Sequence, residues 1–105
     1  MYLKIIKMIQ TRGQLTDRVK ARSIELFGYE ITQDELRLLP YLQYVMVNEQ
    51  KITRGKINPE ERDIISDWVA KGYIGSSSSK MKVSKEFWDI MCEIIYLGYV
   101  DLIYD

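Results

Sequence analysis

Glu49-Gln50-Lys51, directly after the apolar run Tyr41 to Val47, has the acid-x-lysine spacing of half of a metal-dependent nuclease motif, in which a carboxylate holds a divalent cation beside a lysine. The earlier half of such a motif is missing, because no Pro-Asp pair occurs and Asp34 falls in a helix cap. Two further carboxylate pairs, Asp63/Asp67 and Asp89/Glu93, are four residues apart and face one another across a helical turn. A magnesium site needs more convergent oxygens than one such pair supplies, so solvated helix faces are their expected role. The sequence contains no histidine, which removes Ser-His and Cys-His nucleophiles, imidazole metal ligands and the ordinary near-neutral proton shuttle. Its single cysteine, Cys92, lies in the most apolar helical segment and reads as a small buried residue; thiol-rich zinc sites and an intrachain disulfide are excluded. The run Gly75 to Ser79 lacks the flanking strand and helix of a phosphate-binding loop and reads as a flexible connection. The expectation is therefore a protein with no catalytic residue, no cofactor, no metal and no small-molecule substrate.

What remains is binding, and charge and aromatic content say where. The 105 residues carry 15 Lys and Arg against 15 Asp and Glu, so the net charge is zero. The cations are nevertheless gathered toward the start: Lys4, Lys7, Arg12, Arg18, Lys20 and Arg22 face only Asp17 and Glu25 within residues 1–28. Such polarity suits an acidic partner, or association of the basic end with the acidic body of a second copy. Eight tyrosines and two tryptophans exceed what one small core readily buries, which makes Tyr41, Tyr44, Tyr96 and Tyr104 candidates for an exposed contact patch. The candidate partner-binding set is thus Lys4, Lys7, Arg12, Arg18 and Arg22 with those four tyrosines.

The elements that must position these residues are helical. The length and the 47% apolar content fit one domain, residues 1–105, with one core. Met1 to Arg12 reads as a short amphipathic helix with Tyr2, Ile5, Ile6 and Ile9 on one side, an edge strand fitting nearly as well; broken by Lys4 and Lys7, it is neither signal peptide nor membrane span. Thr16 starts a second helix, running to about Phe27. Thr32-Gln33-Asp34-Glu35 is a capping box that starts a third, with a kink or short break expected near Leu39 because of Pro40 and helix favoured over strand for Tyr41 to Val47. Asn58-Pro59-Glu60-Glu61 starts a fourth and Ser84 a fifth, the last apolar at nearly every azimuth and so central to the core or an interface. Val100 to Asp105 is expected to close the domain as a short strand or extended arm.

Gly28-Tyr29, Gly72-Tyr73 and Gly98-Tyr99 repeat one pattern, which predicts three left-handed glycine stops whose following tyrosines fold back on Ile24, Trp68 and Ile94. The resulting fold class is all-α, a compact bundle of about five helices with room for a small winged-helix-like β-hairpin near residues 73–83. Residues 16–48 superficially follow a helix-turn-helix, but Gln33, Asp34 and Glu35 at the reading position would set two acids against phosphate. A winged-helix nucleic-acid binder using the basic N-terminal segment, with Lys80 and Lys82 on the wing, is the rival to a protein-binding module.

The segments Leu15 to Thr32, Lys56 to Ile74 and Val83 to Asp101, with the runs Phe87-Trp88-Asp89 and Gly98-Tyr99-Val100-Asp101, resemble small uncharacterised proteins encoded by temperate phages and prophages of Gram-negative bacteria. The resemblance implies an accessory protein that acts on host or phage macromolecules by binding, and it carries over no catalytic or binding residue. A cytoplasmic, non-enzymatic adaptor or regulatory module that binds a protein partner or forms a homodimer is the expectation.

Overall fold

The computed structural model describes residues 11–75 and 80–102. Helix α1, Asp17–Phe27, begins where the Thr16 hydroxyl accepts the Val19 N–H at 3.2 Å, and ends at Gly28 with φ 84°. Helix α2, Gln33–Val47, begins at a complete capping box: Glu35 N–H donates to the Thr32 hydroxyl at 3.1 Å and Thr32 N–H to the Glu35 carboxylate at 2.9 Å. A 3-10 turn, Arg54–Lys56, interrupts the connector that follows. Helix α3, Pro59–Ala70, carries a second capping box between Asn58 and Glu61, and helix α4, Lys85–Ile95, is capped by the Ser84 hydroxyl. Between them β1, Ile74–Gly75, pairs antiparallel with β2, Lys82–Val83, in the register Ile74 to Val83 and Gly75 to Lys82. A π-helical turn, Tyr96–Val100, continues from α4. The described residues therefore hold four α-helices and a small two-stranded sheet, where the sequence predicts about five helices; the first of those five lies almost wholly outside the described residues.

The core is one continuous cluster in which α4 is central. Phe87, Met91 and Ile94 of α4 pack with Leu36, Leu39, Leu42 and Val45 of α2, Val19 of α1 and Trp68 of α3, all buried. Its most concentrated part is aromatic. The Phe87 ring stacks on Tyr73 at 5.1 Å and tilts against Trp68 at 5.1 Å, while Phe27 reaches Trp68, Tyr29, Tyr73 and Phe87 within 6.2 Å. The indole N–H of Trp68 donates to the Tyr29 hydroxyl at 3.1 Å, and that hydroxyl donates to Glu35 at 2.7 Å, so one polar chain crosses from α3 to the α2 cap.

Two of the three glycine stops stand. At Gly72, φ 81°, the Tyr73 N–H reaches the Trp68 carbonyl at 2.9 Å and Gly72 N–H reaches Val69 at 3.0 Å, the paired bonds of a Schellman motif. Gly28 makes the simpler single bond to Ile24, whose side chain is half exposed, so Tyr29 folds on Phe27 and not on Ile24 as expected. Gly98 does not stop a helix. It sits inside the π turn, buried, where a Cβ would come 3.3 Å from a Leu36 methyl, and its carbonyl accepts the Gly13 N–H at 2.7 Å. The second full Schellman pair closes α2 instead, with Glu49 in the left-handed position at φ 52° and the Gln50 N–H bonded to Val45 at 2.9 Å.

Helix α2 is also unbroken at Pro40, against the expected kink near Leu39. Proline removes the donor that the Leu36 carbonyl would receive. That carbonyl accepts the Tyr99 hydroxyl instead, at 3.4 Å, so the π turn covers the gap that the proline opens. The tail forms no strand through residue 102, and 103–105 lie outside the described residues.

Two substitutions test these arguments in urea unfolding. Tyr99→Phe costs about 1 kcal/mol by orphaning the Leu36 carbonyl, and the loss shrinks in a Pro40→Ala background, where residue 40 supplies its own N–H. Gly72→Ala costs about 1 kcal/mol although open space surrounds it, because the left-handed backbone and not a clash is the penalty.

Candidate functional site

Each sequence-predicted binding residue has a definite place, except Lys4, Lys7 and Tyr104, which lie outside the described residues. Arg18 and Arg22, one turn apart on α1, are engaged within the fold. The Arg18 guanidinium pairs with Asp101 at 3.1 Å and donates to the carbonyls of Leu97 and Asp101, a cation at the negative end of α4 and the π turn. Arg22 pairs with Glu93 of α4 and with Glu25 at 2.8 Å. That hydrogen bond with Arg22 holds the Glu93 carboxyl below its ordinary range, partial burial opposing and the guanidinium charge adding, and it raises Arg22 in turn. These two arginines fasten α1 to α4 and are not the open acidic-partner contacts that the charge distribution suggests. Arg12 is exposed, on the rim of a shallow cleft with Arg37, Gln33 and Tyr99. Burial pushes the Tyr99 phenol up, with the Arg37 charge opposing.

The tyrosines divide in the same way. Tyr41 is half-buried and its hydroxyl accepts the Thr53 N–H at 2.9 Å, which makes it a support for the connector. Tyr44 and Tyr96 stay 52% and 53% exposed. They belong to helices that pack together: Gln43, the neighbour of Tyr44, directs its amide at the Cys92 sulfur at 3.7 Å, and Tyr96 lies one turn beyond Cys92. Val47 and Val100 are 67% and 64% exposed, three residues after Tyr44 and four after Tyr96. Sequence reasoning missed both valines; their signal was the spacing to the tyrosines at helical neighbours.

The structure adds nothing in favour of the helix-turn-helix reading. Helix α2 buries Glu35, Leu36, Leu38, Leu39, Leu42 and Val45 and leaves the acid Asp34 exposed at its start, where phosphate would be repelled. Gln33 at its start donates to the Gly13 carbonyl at 2.7 Å and accepts the Leu15 N–H at 3.2 Å. The helix-hairpin order of a winged helix is present in α3, β1 and β2, but α3 exposes Glu60, Asp63 and Asp67 with only Arg62 against them. Three of the candidate carboxylates are likewise in ion pairs: Asp67 with Lys71 at 2.9 Å, Asp89 with Lys85 at 3.0 Å and Glu49 with Lys80 at 3.3 Å. Among the described residues no group of three or more Cys, Asp or Glu could hold a metal ion, and no helix is long and apolar enough to cross a membrane.

The class that fold and surface define is a small helical domain with a two-stranded hairpin. No protein-family model matches the chain, and no curated protein or solved structure matches it significantly.

The depressed Glu93 pKa fixes a sign for acid stability. A carboxyl bound more tightly as the anion in the folded state stabilises above its ordinary value of 4.5, and that contribution is lost as the pH falls through the lower folded value. Glu93→Gln should therefore lower the urea midpoint at neutral pH, and its difference from the unsubstituted protein should begin to shrink below 4.5 and be lost only once the pH is below the lower folded value. A difference that is constant with pH would show that Arg22 does not recognise the anion.

Proposed function

We propose that this domain works by binding a protein, with the exposed Tyr44 and Val47 of α2 and Tyr96 and Val100 of the π turn supplying apolar contacts. The observation that carries the reading is the exposure of these four side chains, each more than half open to solvent in a domain whose core has room-filling aromatics elsewhere. Tyrosine suits such a surface, since it loses little rotamer freedom and presents an apolar ring with a polar tip. The partner tested first is a second copy of the chain. An accessory role, as the resemblance to small phage and prophage proteins implies, fits a domain of this size that binds and does not catalyse. The rival use of the basic N-terminal segment for nucleic acid is weakened by the internal pairing of Arg18 and Arg22.

Light scattering coupled to size exclusion, with absorbance at 260 and 280 nm recorded across the peak, tests the reading. The expected result is a dimer that Tyr44→Glu with Tyr96→Glu converts to a folded monomer, whether or not nucleic acid travels with it. A monomer unchanged by those substitutions would sink it.

A further inference from the structure

Two separate segments that carry exposed cations meet at the start of the connector after α2. The connector after α2 holds Lys51, Arg54 and Lys56, and the second strand with the residues before it holds Lys80 and Lys82; all five are exposed. The Met81 N–H donates to the Gln50 carbonyl at 2.8 Å, which sets the start of the connector against the strand. Tyr41 holds the middle of the connector through Thr53, and the Asn58 cap holds its end. Ile52 and Ile57 are half-buried against the core, leaving the intervening cations outside. The one acid within these segments, Glu49, pairs with Lys80. Among the described residues Lys51, Arg54, Lys56 and Lys82 have no ion-pair partner. The nearest acids along the chain beyond the segments are Glu60 and Glu61, which begin α3 and of which Glu61 is engaged in its cap, and the exposed Glu86 in the first turn of α4.

We propose that this connector and hairpin surface binds the phosphate backbone of duplex DNA, independently of base sequence. Cations spread over a pinned loop and a strand match a row of phosphates better than a single small anion, which needs converging donors. A protein partner is disfavoured because no large apolar side chain is exposed among these residues, and protein interfaces centre on such side chains. A single strand is disfavoured because residues 48–58 and 80–83 contain no aromatic side chain on which a base would stack. The surface is distinct from the tyrosine face, so either assignment can fail alone.

The test is fluorescence anisotropy of the full chain with a labelled mixed-sequence duplex across a salt series. Four phosphate contacts predict a log-log slope of about −4, so affinity falls about a hundredfold between 50 and 200 mM salt. Lys51→Ala with Arg54→Ala and Lys82→Ala should flatten the slope by about 3, whereas Arg12→Ala with Lys20→Ala leaves it unchanged. Glu49→Gln should tighten binding, a gain that loss of folding cannot mimic. The proposal is overturned by absence of duplex binding at about 50 mM salt, by tighter binding of a single strand of equal length, by equal competition from polyglutamate, or by a loss that follows the Arg12 and Lys20 variant.

Discussion

The contact on which the other elements depend is the meeting of Phe27, Trp68, Tyr73 and Phe87. These rings come from α1, α3, the start of the hairpin and α4, so one patch of aromatic surface joins four parts of the chain. Helix α3 shows the dependence most clearly, because Trp68 is its one fully buried side chain. Burial of such a ring contributes about 2 to 3 kcal/mol, and truncating it removes that together with the cost of the cavity. The Schellman turn at Gly72 then matters for more than ending a helix. It turns the chain at once so that Tyr73 lies flat on Phe87, and the hairpin follows from that placement.

The opposite side of the core is closed by polar interactions. Arg18 and Arg22 bind α1 to the far end of α4, Gly13 bonds to Gly98, and Tyr99 completes the hydrogen bonding of α2 around Pro40. The absence of a side chain at Gly98 is what permits the last of these, since it lets the π turn approach Leu36 closely enough for Tyr99 to reach the carbonyl. With that side closed by charge and hydrogen bonds, and the other by aromatic packing, the large apolar side chains left exposed among the described residues are Tyr44, Val47, Tyr96 and Val100, with Ile24 and Val69 standing apart.

How much of this was legible in the sequence follows from the range of each interaction. Thr16, Thr32, Asn58 and Ser84 announce the four helix starts because a cap is made within three residues. Gly28 and Gly72 announce two stops for the same reason. Gly98 misleads because its small size serves a distant contact with Leu36, and Pro40 misleads because its missing donor is replaced from Tyr99. Glu49 is invisible as a stop, since nothing in a glutamate marks a left-handed backbone. The tyrosine surplus pointed correctly to Tyr44 and Tyr96 as exposed, but Tyr41 turned inward to hold Thr53. Arg18 and Arg22 read as open charge because their partners, Asp101 and Glu93, lie 83 and 71 residues away.

Those separations have a kinetic meaning. Helix α1 is made before the groups that its arginines bind, Glu93, Leu97 and Asp101. Closing so long a loop is entropically unfavourable until other contacts have brought its ends together. Helix α2 meets α4 and the π turn across separations of 49 and 63 residues, so closure entropy differs from that of α1 by only about 0.5 kcal/mol and does not by itself order the docking events. The arginine contacts that seat α1 on α4 thus depend on the far side of the domain, since neither can form before Glu93 and Asp101 have been made.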